Sequence, residues 1–347
     1  MTTQTSRRAT TWLQITSVLL GVMGLLAYAI SKFSSGKTVV IVTAVGILGC
    51  LGTMIVLAIR ARRLGLMIGR IAGTLVAVIV GTYLILFPLI YFFQDTIANR
   101  TNAFFQPRGI SEAAAQALAA SDVLPLDFAT PDGAELRGWL VRNTDADRAP
   151  LVIYFDGSGS LTADLIPHMR TLKGWSVALV NYRGFSPSTG TPSQARAFAD
   201  ATLIYDTLAQ RPDIDPGRIV AMGYSLGTGI AVYLSELRPV VGTILVAPYD
   251  SQTLIGLKQE AIYAPLTGIM KPYFDSITRA PEIHTPLLCL IGATDPVIPP
   301  ERSLRLVSQW GGEKTVKTYD GEDHSLLLHE NSSWDDILIF LASVGKG

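Results

Sequence analysis

Three residues far apart along the chain have the types that nucleophilic acyl transfer requires: Ser225, Asp295 and His324. The serine lies in "RIVAMGYSLGTGIAVYL", between Gly223 and Gly227, with an apolar β-branched run before it and a run of helical spacing after it. A serine on a tight strand-to-helix turn has to adopt a strained backbone, and flanking glycines remove the clashes. The turn lifts the hydroxyl clear of the sheet and leaves a helix N-terminus behind it. A neutral hydroxyl is a poor nucleophile and needs a base. His324 supplies an imidazole, and Asp295 a carboxylate that can fix its tautomer and stabilise the imidazolium. Taken singly, His324 reads as well as a surface-loop histidine, and Asp295 as an N-cap before "PVIPPERSLRL". The serine junction tips both toward catalysis.

The elements that must position these groups follow from the apolar pattern. "LDFATPDGAELRGWLV" reads as a hairpin around Pro131-Asp132-Gly133. After it come "LVIYFDG", a helical stretch near Ala163–Leu172, "SVALVNYRG", a helix over Ala195–Gln210, "RIVAMGYS" and a helix over Leu226–Ser235. Then follow "VGTILVAPYD", "PLLCLIGATD", "KTVKTYDG" and a final helix over Trp334–Leu341. Near-continuous apolar strands imply burial on both faces, hence an α/β fold with a mostly parallel sheet and helices on both sides. Ligands of such sheets bind beyond the strand C-termini. Asp156, Ser225, Asp250, Asp295 and His324 all fall there.

Other residues read more blandly. Asp250 is an alternative acid, but first a cap for a helix beginning near Ser251. Arg183 ties down a loop, His329 is solvated, and His168 and His284 sit at the core edge or surface. No histidine has metal-ligand spacing with another histidine or cysteine, and the chemistry calls for no metal and no cofactor. The two cysteines, Cys50 and Cys289, fall in different segments and are not expected to pair. Lys+Arg and Asp+Glu are equal at 28 each, and no basic stripe interleaves with aromatics, which argues against nucleic acid.

Hydrophobic residues make up 49% of the 347, and the excess lies before Gln94. Trp12–Ile30, Thr38–Ile59 and Ile71–Phe93 are uncharged apolar runs, each of about the 20 residues that cross a bilayer as a helix. Three transmembrane helices are therefore expected over 1–93, with a linker at 94–121 and the α/β domain at 122–347. Arg7 and Arg8, with Arg60, Arg62, Arg63 and Arg70 after the second run, set these ends on the cytoplasmic side. That arrangement carries the α/β domain to the extracytoplasmic side. "LLAYAI" also resembles a signal-peptide cleavage site, and its use would leave that side unchanged.

With these pieces in their order, the chain from about Leu126 onward resembles the α/β-hydrolase superfamily. It is most similar to the membrane-anchored serine hydrolases that include lysophospholipases and depalmitoylating thioesterases. The matching segments are "LVIYFDGSG", "VNYRGFSPSTGTPS", "GYSLGTG", "YFDSITRAPEIHTPLLCLIGATDPVIPP" and "DGEDHSLLL". The resemblance implies Ser225 as nucleophile, His324 as base and Asp295 as its acid partner, with the backbone N–H groups of Leu226 and Ser158 as the oxyanion hole. Two positions depart from the pattern. Thr228 stands where a second glycine is usual, and Asp156-Gly157 where His-Gly is usual. A carboxylate aimed into an oxyanion hole would repel the developing charge. Asp156 is therefore read either as holding its loop through hydrogen bonds or as facing the cleft to select a cationic group.

The segment from Ser251 to His284 sits where this fold inserts a short cap. Leu254, Ile255, Leu257, Ile262 and Tyr263 make it an acyl-chain site near a bilayer, or ordinary packing against the sheet. The leading expectation is a membrane-anchored serine hydrolase of acyl esters or thioesters, with a lipid among its substrates. A serine peptidase and a non-catalytic scaffold retaining the fold are the alternatives.

Overall fold

The computed structural model describes residues 73–79, 81–82, 85, 120–143, 146–158, 162–251, 273–325 and 331–345. The chain divides into two compact units, Met1–Phe93 and Gln94–Gly347. In the first, the described residues are helical. The rest of the three apolar runs, the cleavage-like site, most of the linker and the cap residues 252–272 lie outside the described residues, as does His329. Among the described residues no helix is long and apolar enough to cross a membrane.

The second unit is built on eight strands: β1 (Val123–Ala129), β2 (Glu135–Val141), β3 (Ala149–Phe155), β4 (Ser176–Val180), β5 (Ile214–Tyr224), β6 (Gly242–Val246), β7 (Leu287–Gly292) and β8 (Lys314–Tyr319). They form one sheet in the order β1-β2-β4-β3-β5-β6-β7-β8. The β1–β2 hairpin and the β2–β4 pair are antiparallel, and every other pair is parallel. Every residue of β3, β4, β6 and β7 is buried, as a strand covered on both faces requires.

The helices are α1 (Ile166–Met169), α2 (Gln194–Ala209), α3 (Leu226–Leu237), α4 (Pro300–Gln309) and α5 (Asn331–Val344). On one face Phe198, Ile204, Ile230, Leu234 and Leu306 pack against Leu151, Ile219 and Leu245. On the other, Ile166, Met169, Ile337 and Leu341 pack against Val152, Val220, Ile244 and Leu288. Each fully buried aliphatic side chain contributes about 1.5–3 kcal/mol, so the sheet is a rigid platform for the residues at its edge. The helix expected over Ala163–Leu172 is shorter: a 3-10 turn, Thr162–Leu165, runs into the single turn of α1, where Pro167 is the second residue.

Register decides which residues meet. Phe155 pairs with Gly223, Tyr224 with Val246, Val246 with Leu290, and Gly292 with Tyr319. The C-terminal ends of five strands are thus nearly level, and the residues just beyond them gather along one edge.

Candidate active site

Ser225 joins β5 to α3 with φ 50° and ψ −117°. This left-handed backbone is strained for a residue with a side chain and is held in place by its surroundings. Its N–H donates to the Val246 carbonyl at 2.9 Å, and its own carbonyl accepts from the Thr228 N–H at 3.0 Å and the Thr228 hydroxyl at 2.6 Å. Thr228, unusual against the family pattern, thereby tightens the turn. Both glycines are required by close approach. A Cβ on Gly223 would stand 2.4 Å from the Gly227 carbonyl oxygen, and one on Gly227 would stand 2.0 Å from the Phe155 carbonyl oxygen. The second contact also shows that the end of β3 lies directly against the start of α3.

Ser225, Asp295 and His324 converge. His324 Nε2 lies 2.8 Å from Ser225 Oγ, and Nδ1 lies 2.7 Å from Asp295 Oδ2. The Asp295 side chain is 1% exposed and that of His324 19%. Asp295 combines its contact with the imidazole with a structural role. Oδ2 faces the imidazole, while Oδ1 accepts from the N–H groups of Val297 and Ile298, both at 2.8 Å, and so shapes the turn before α4. α4 itself is preceded by Pro299, not by Asp295. Thr294 ties this turn to the histidine loop: its N–H and its hydroxyl both donate to the Glu322 carbonyl, at 3.0 and 2.9 Å.

Leu226 opens α3 and Ser158 follows β3 half-buried. A Cβ on Gly157 would stand 3.6 Å from the Ser225 Cβ, so the loop after β3 borders the serine. Asp156 is 1% exposed and turned into the protein. Its Oδ1 accepts from the Gly157 N–H at 2.7 Å and from the Tyr154 hydroxyl at 3.0 Å, and its carbonyl accepts from the Tyr182 hydroxyl at 2.6 Å. Burial first, and then the charge of Asp156, push both tyrosine hydroxyls well above their ordinary pKa, so they stay protonated donors.

Asp250 is wholly buried and caps no helix among the described residues. It accepts from the Ser251 N–H at 2.8 Å and from Arg302 at 2.7 and 3.0 Å. Arg183 does tie a loop down. It pairs with Asp200 at 2.7 and 2.8 Å and with Asp132 of the hairpin turn at 2.6 Å, and its hydrogen bond holds the Asp132 carboxyl down to about 2. Phe274, at the end of the apolar segment, is a core residue packed edge-on against Phe198. His168 stacks on Trp334, His284 is exposed and Cys289 is buried. Sequence reasoning missed Arg302, whose partner is 52 residues away. It also passed over Tyr224, whose one signal was its place next to the serine.

A family model for dienelactone hydrolases matches residues 187–337. The chain is 32% identical over 213 residues to the uncharacterized protein Rv2307c of Mycobacterium tuberculosis, a match covering 59% of this chain and 75% of that one. It is 28% identical over 181 residues to the rat lysophosphatidylserine lipase ABHD12, covering 44% of each. Among solved structures, the Pyrococcus furiosus esterase Pf2001 matches with a TM-score of 0.53 at 19% identity, over 69% of this chain and 98% of that one, a likeness of fold. Together with the sheet order and the strained serine junction, the dienelactone hydrolase match and the similarity to Rv2307c and ABHD12 mean that the chain belongs to the α/β-hydrolase superfamily.

Proposed function

We propose that the chain is a membrane-anchored serine hydrolase that cleaves acyl esters or thioesters through an acyl-enzyme. The observation that carries this reading is the unbroken relay from Asp295 Oδ2 through both nitrogens of His324 to Ser225 Oγ, at 2.7 and 2.8 Å. Ser225 Oγ attacks the acyl carbonyl as its proton passes to His324 Nε2. The C–O or C–S bond then breaks, and the leaving alkoxide or thiolate takes that proton. Water attacks the acyl-serine, again giving its proton to Nε2, and the acid leaves as the proton returns to Oγ. The Leu226 and Ser158 N–H groups receive the negative charge of the tetrahedral intermediates, a contribution of about 10²–10³ in rate per donor in such sites.

The acyl preference is supported by the apolar residues between Ser251 and His284, where each buried methylene would add about 0.8 kcal/mol. The names of the similar lipase and esterase point the same way. A fluorophosphonate probe and a panel of p-nitrophenyl esters, acyl thioesters and matched peptides test the function. Labelling with ester or thioester turnover supports it. Peptide cleavage without ester turnover would make it a peptidase, and an unlabelled folded chain a scaffold.

The anchoring rests on the three apolar runs and the arginines that flank the second connection. A reporter active only outside the cytoplasm is expected to work when fused after Gly347 and to fail when fused at Arg63. A cytoplasmic signal from the Gly347 fusion would refute that topology.

Asp156 is assigned to holding its loop. Asp156→Asn keeps an oxygen that can accept from Tyr154 and Gly157. It is therefore expected to retain kcat/KM within about threefold on neutral esters, the scale of one modest hydrogen bond. The ratio between matched cationic and neutral esters should not change. A selective loss on the cationic ester would put Asp156 in the substrate site instead.

A further inference from the structure

We infer that Tyr224 is a positioning residue that keeps His324 in register with Ser225, an assignment that rests on the serine-hydrolase reading above. Tyr224 is the last residue of β5 and is covalently next to Ser225. Its hydroxyl donates to the His324 carbonyl at 2.6 Å, across 100 residues of sequence. Its ring lies 5.4 Å from the imidazole, tilted by 33°. The same ring supports the loop after β3, since a Cβ on Gly157 would stand 3.2 Å from two of its carbons. Below, it packs on the core face that holds Met222 and Val246. One side chain thus touches the serine junction, the loop proposed to supply an oxyanion donor, and the histidine loop.

The histidine loop needs such a tie. It leaves β8, the edge strand, where five of six residues are exposed. The bonds from Thr294 hold it at Glu322, two residues before the histidine. The bond from Tyr224 reaches His324 itself, and it comes from the strand that carries the nucleophile. Any shift of β5 therefore carries both ends of the Nε2–Oγ contact together. Burial and then the charges of Asp156, Asp295 and Asp323 raise the Tyr224 pKa, so the hydroxyl remains a donor across the working pH range. Displacing a reacting group by about 1 Å can cost about 10² in rate, and losing one of several ties should cost part of that.

The test compares the full chain in detergent with its Tyr224→Phe and Ser225→Ala variants, using p-nitrophenyl butyrate and a fluorophosphonate probe. Phenylalanine keeps the ring and removes only the hydroxyl. The expected result is a kcat about tenfold lower with KM within about twofold, as for a lost positioning contact and not for lost substrate binding. The labelling rate should fall by the same factor, while the labelled end point equals that of the wild type. A purely structural role would instead lower the end point and leave the rate of the labelled fraction unchanged. That outcome, or a wild-type rate, overturns the role of Tyr224. The rate is read on the labelled fraction, so partial unfolding does not hide the answer. Labelling that persists in Ser225→Ala would overturn the underlying reading and this role with it. A silent Ser225→Ala beside a full-rate Tyr224→Phe overturns the role of Tyr224 alone.

Discussion

Ser225→Ala is expected to abolish fluorophosphonate labelling and to lower kcat on an acyl ester by on the order of 10⁶, with the fold intact. In the proposed reaction the hydroxyl forms the covalent bond, and its removal deletes the acyl-enzyme route. Alanine is smaller than serine and tolerates the φ of 50° no worse, so the melting temperature should hardly move. His324→Ala should be as damaging, because without Nε2 the proton of Oγ has no acceptor at 2.8 Å. Asp295→Ala should cost about 10⁴, since the imidazole keeps its basic nitrogen but loses the carboxylate that orients it. The three act as a unit, so a Ser225→Ala/His324→Ala double variant should be scarcely worse than either single one. Both kcat and labelling are to be measured on protein whose folding has been checked by circular dichroism. Residual labelling of Ser225→Ala at the wild-type rate would refute the nucleophile assignment.

Much of the site was legible because it obeys local rules. The buried strands β3, β4, β6 and β7 are near-continuous apolar runs, and a strand that ends in Gly-x-Ser-x-Gly before a helical pattern is the pattern of a nucleophile turn at the edge of a sheet. The hairpin was equally plain from Pro131-Asp132-Gly133, where Gly133 takes φ 83°. What could not be read was tertiary. The short α1 results from chain geometry around Pro167, while the composition of that stretch suggests a longer helix. Asp156 and Asp250 are each followed by a residue whose N–H they accept, which looks in sequence like simple turn or cap chemistry. Their other partners, Tyr154 for Asp156 and Arg302 for Asp250, are fixed only once the sheet order is known. Tyr224 is a further case. Its neighbour was conspicuous, but a bond to a carbonyl 100 residues away leaves no trace in the local pattern.

Asp250 matters most where its position tempts a catalytic assignment. It follows β6 at the same edge of the sheet as the triad, it is a carboxylate, and it is 0% exposed. Its oxygens are nonetheless committed to Arg302, whose side chain is 4% exposed, and Arg305 approaches one of them to 3.3 Å. Its carbonyl accepts from the N–H groups of Ser276 and Ile277, at 3.0 and 2.9 Å, and Ser251 bridges to Asp275. Asp250 therefore fastens α4 to the two stems of the 251–275 segment. Breaking a buried ion pair from one side strands the other charge, at a cost of about 3–5 kcal/mol. Asp250→Ala is accordingly expected to lower the melting temperature by about 10 °C, given a shift of roughly 2–4 °C per kcal/mol at this domain size. The kcat of the molecules that remain folded, counted by fluorophosphonate titration, should stay within a few-fold of wild type. Replacing both partners, as Asp250→Ala with Arg302→Met, should recover a large part of the loss, because no buried charge is then left behind. Asp295→Ala should instead collapse the kcat of the molecules that remain folded, and its melting temperature should also fall, because the Val297 and Ile298 N–H groups lose the Oδ1 that accepts from them. If Asp250→Ala instead silenced the folded enzyme while Asp295→Ala left it active, the acid of the triad would be Asp250, and the 2.7 Å contact of Asp295 with His324 would be structural.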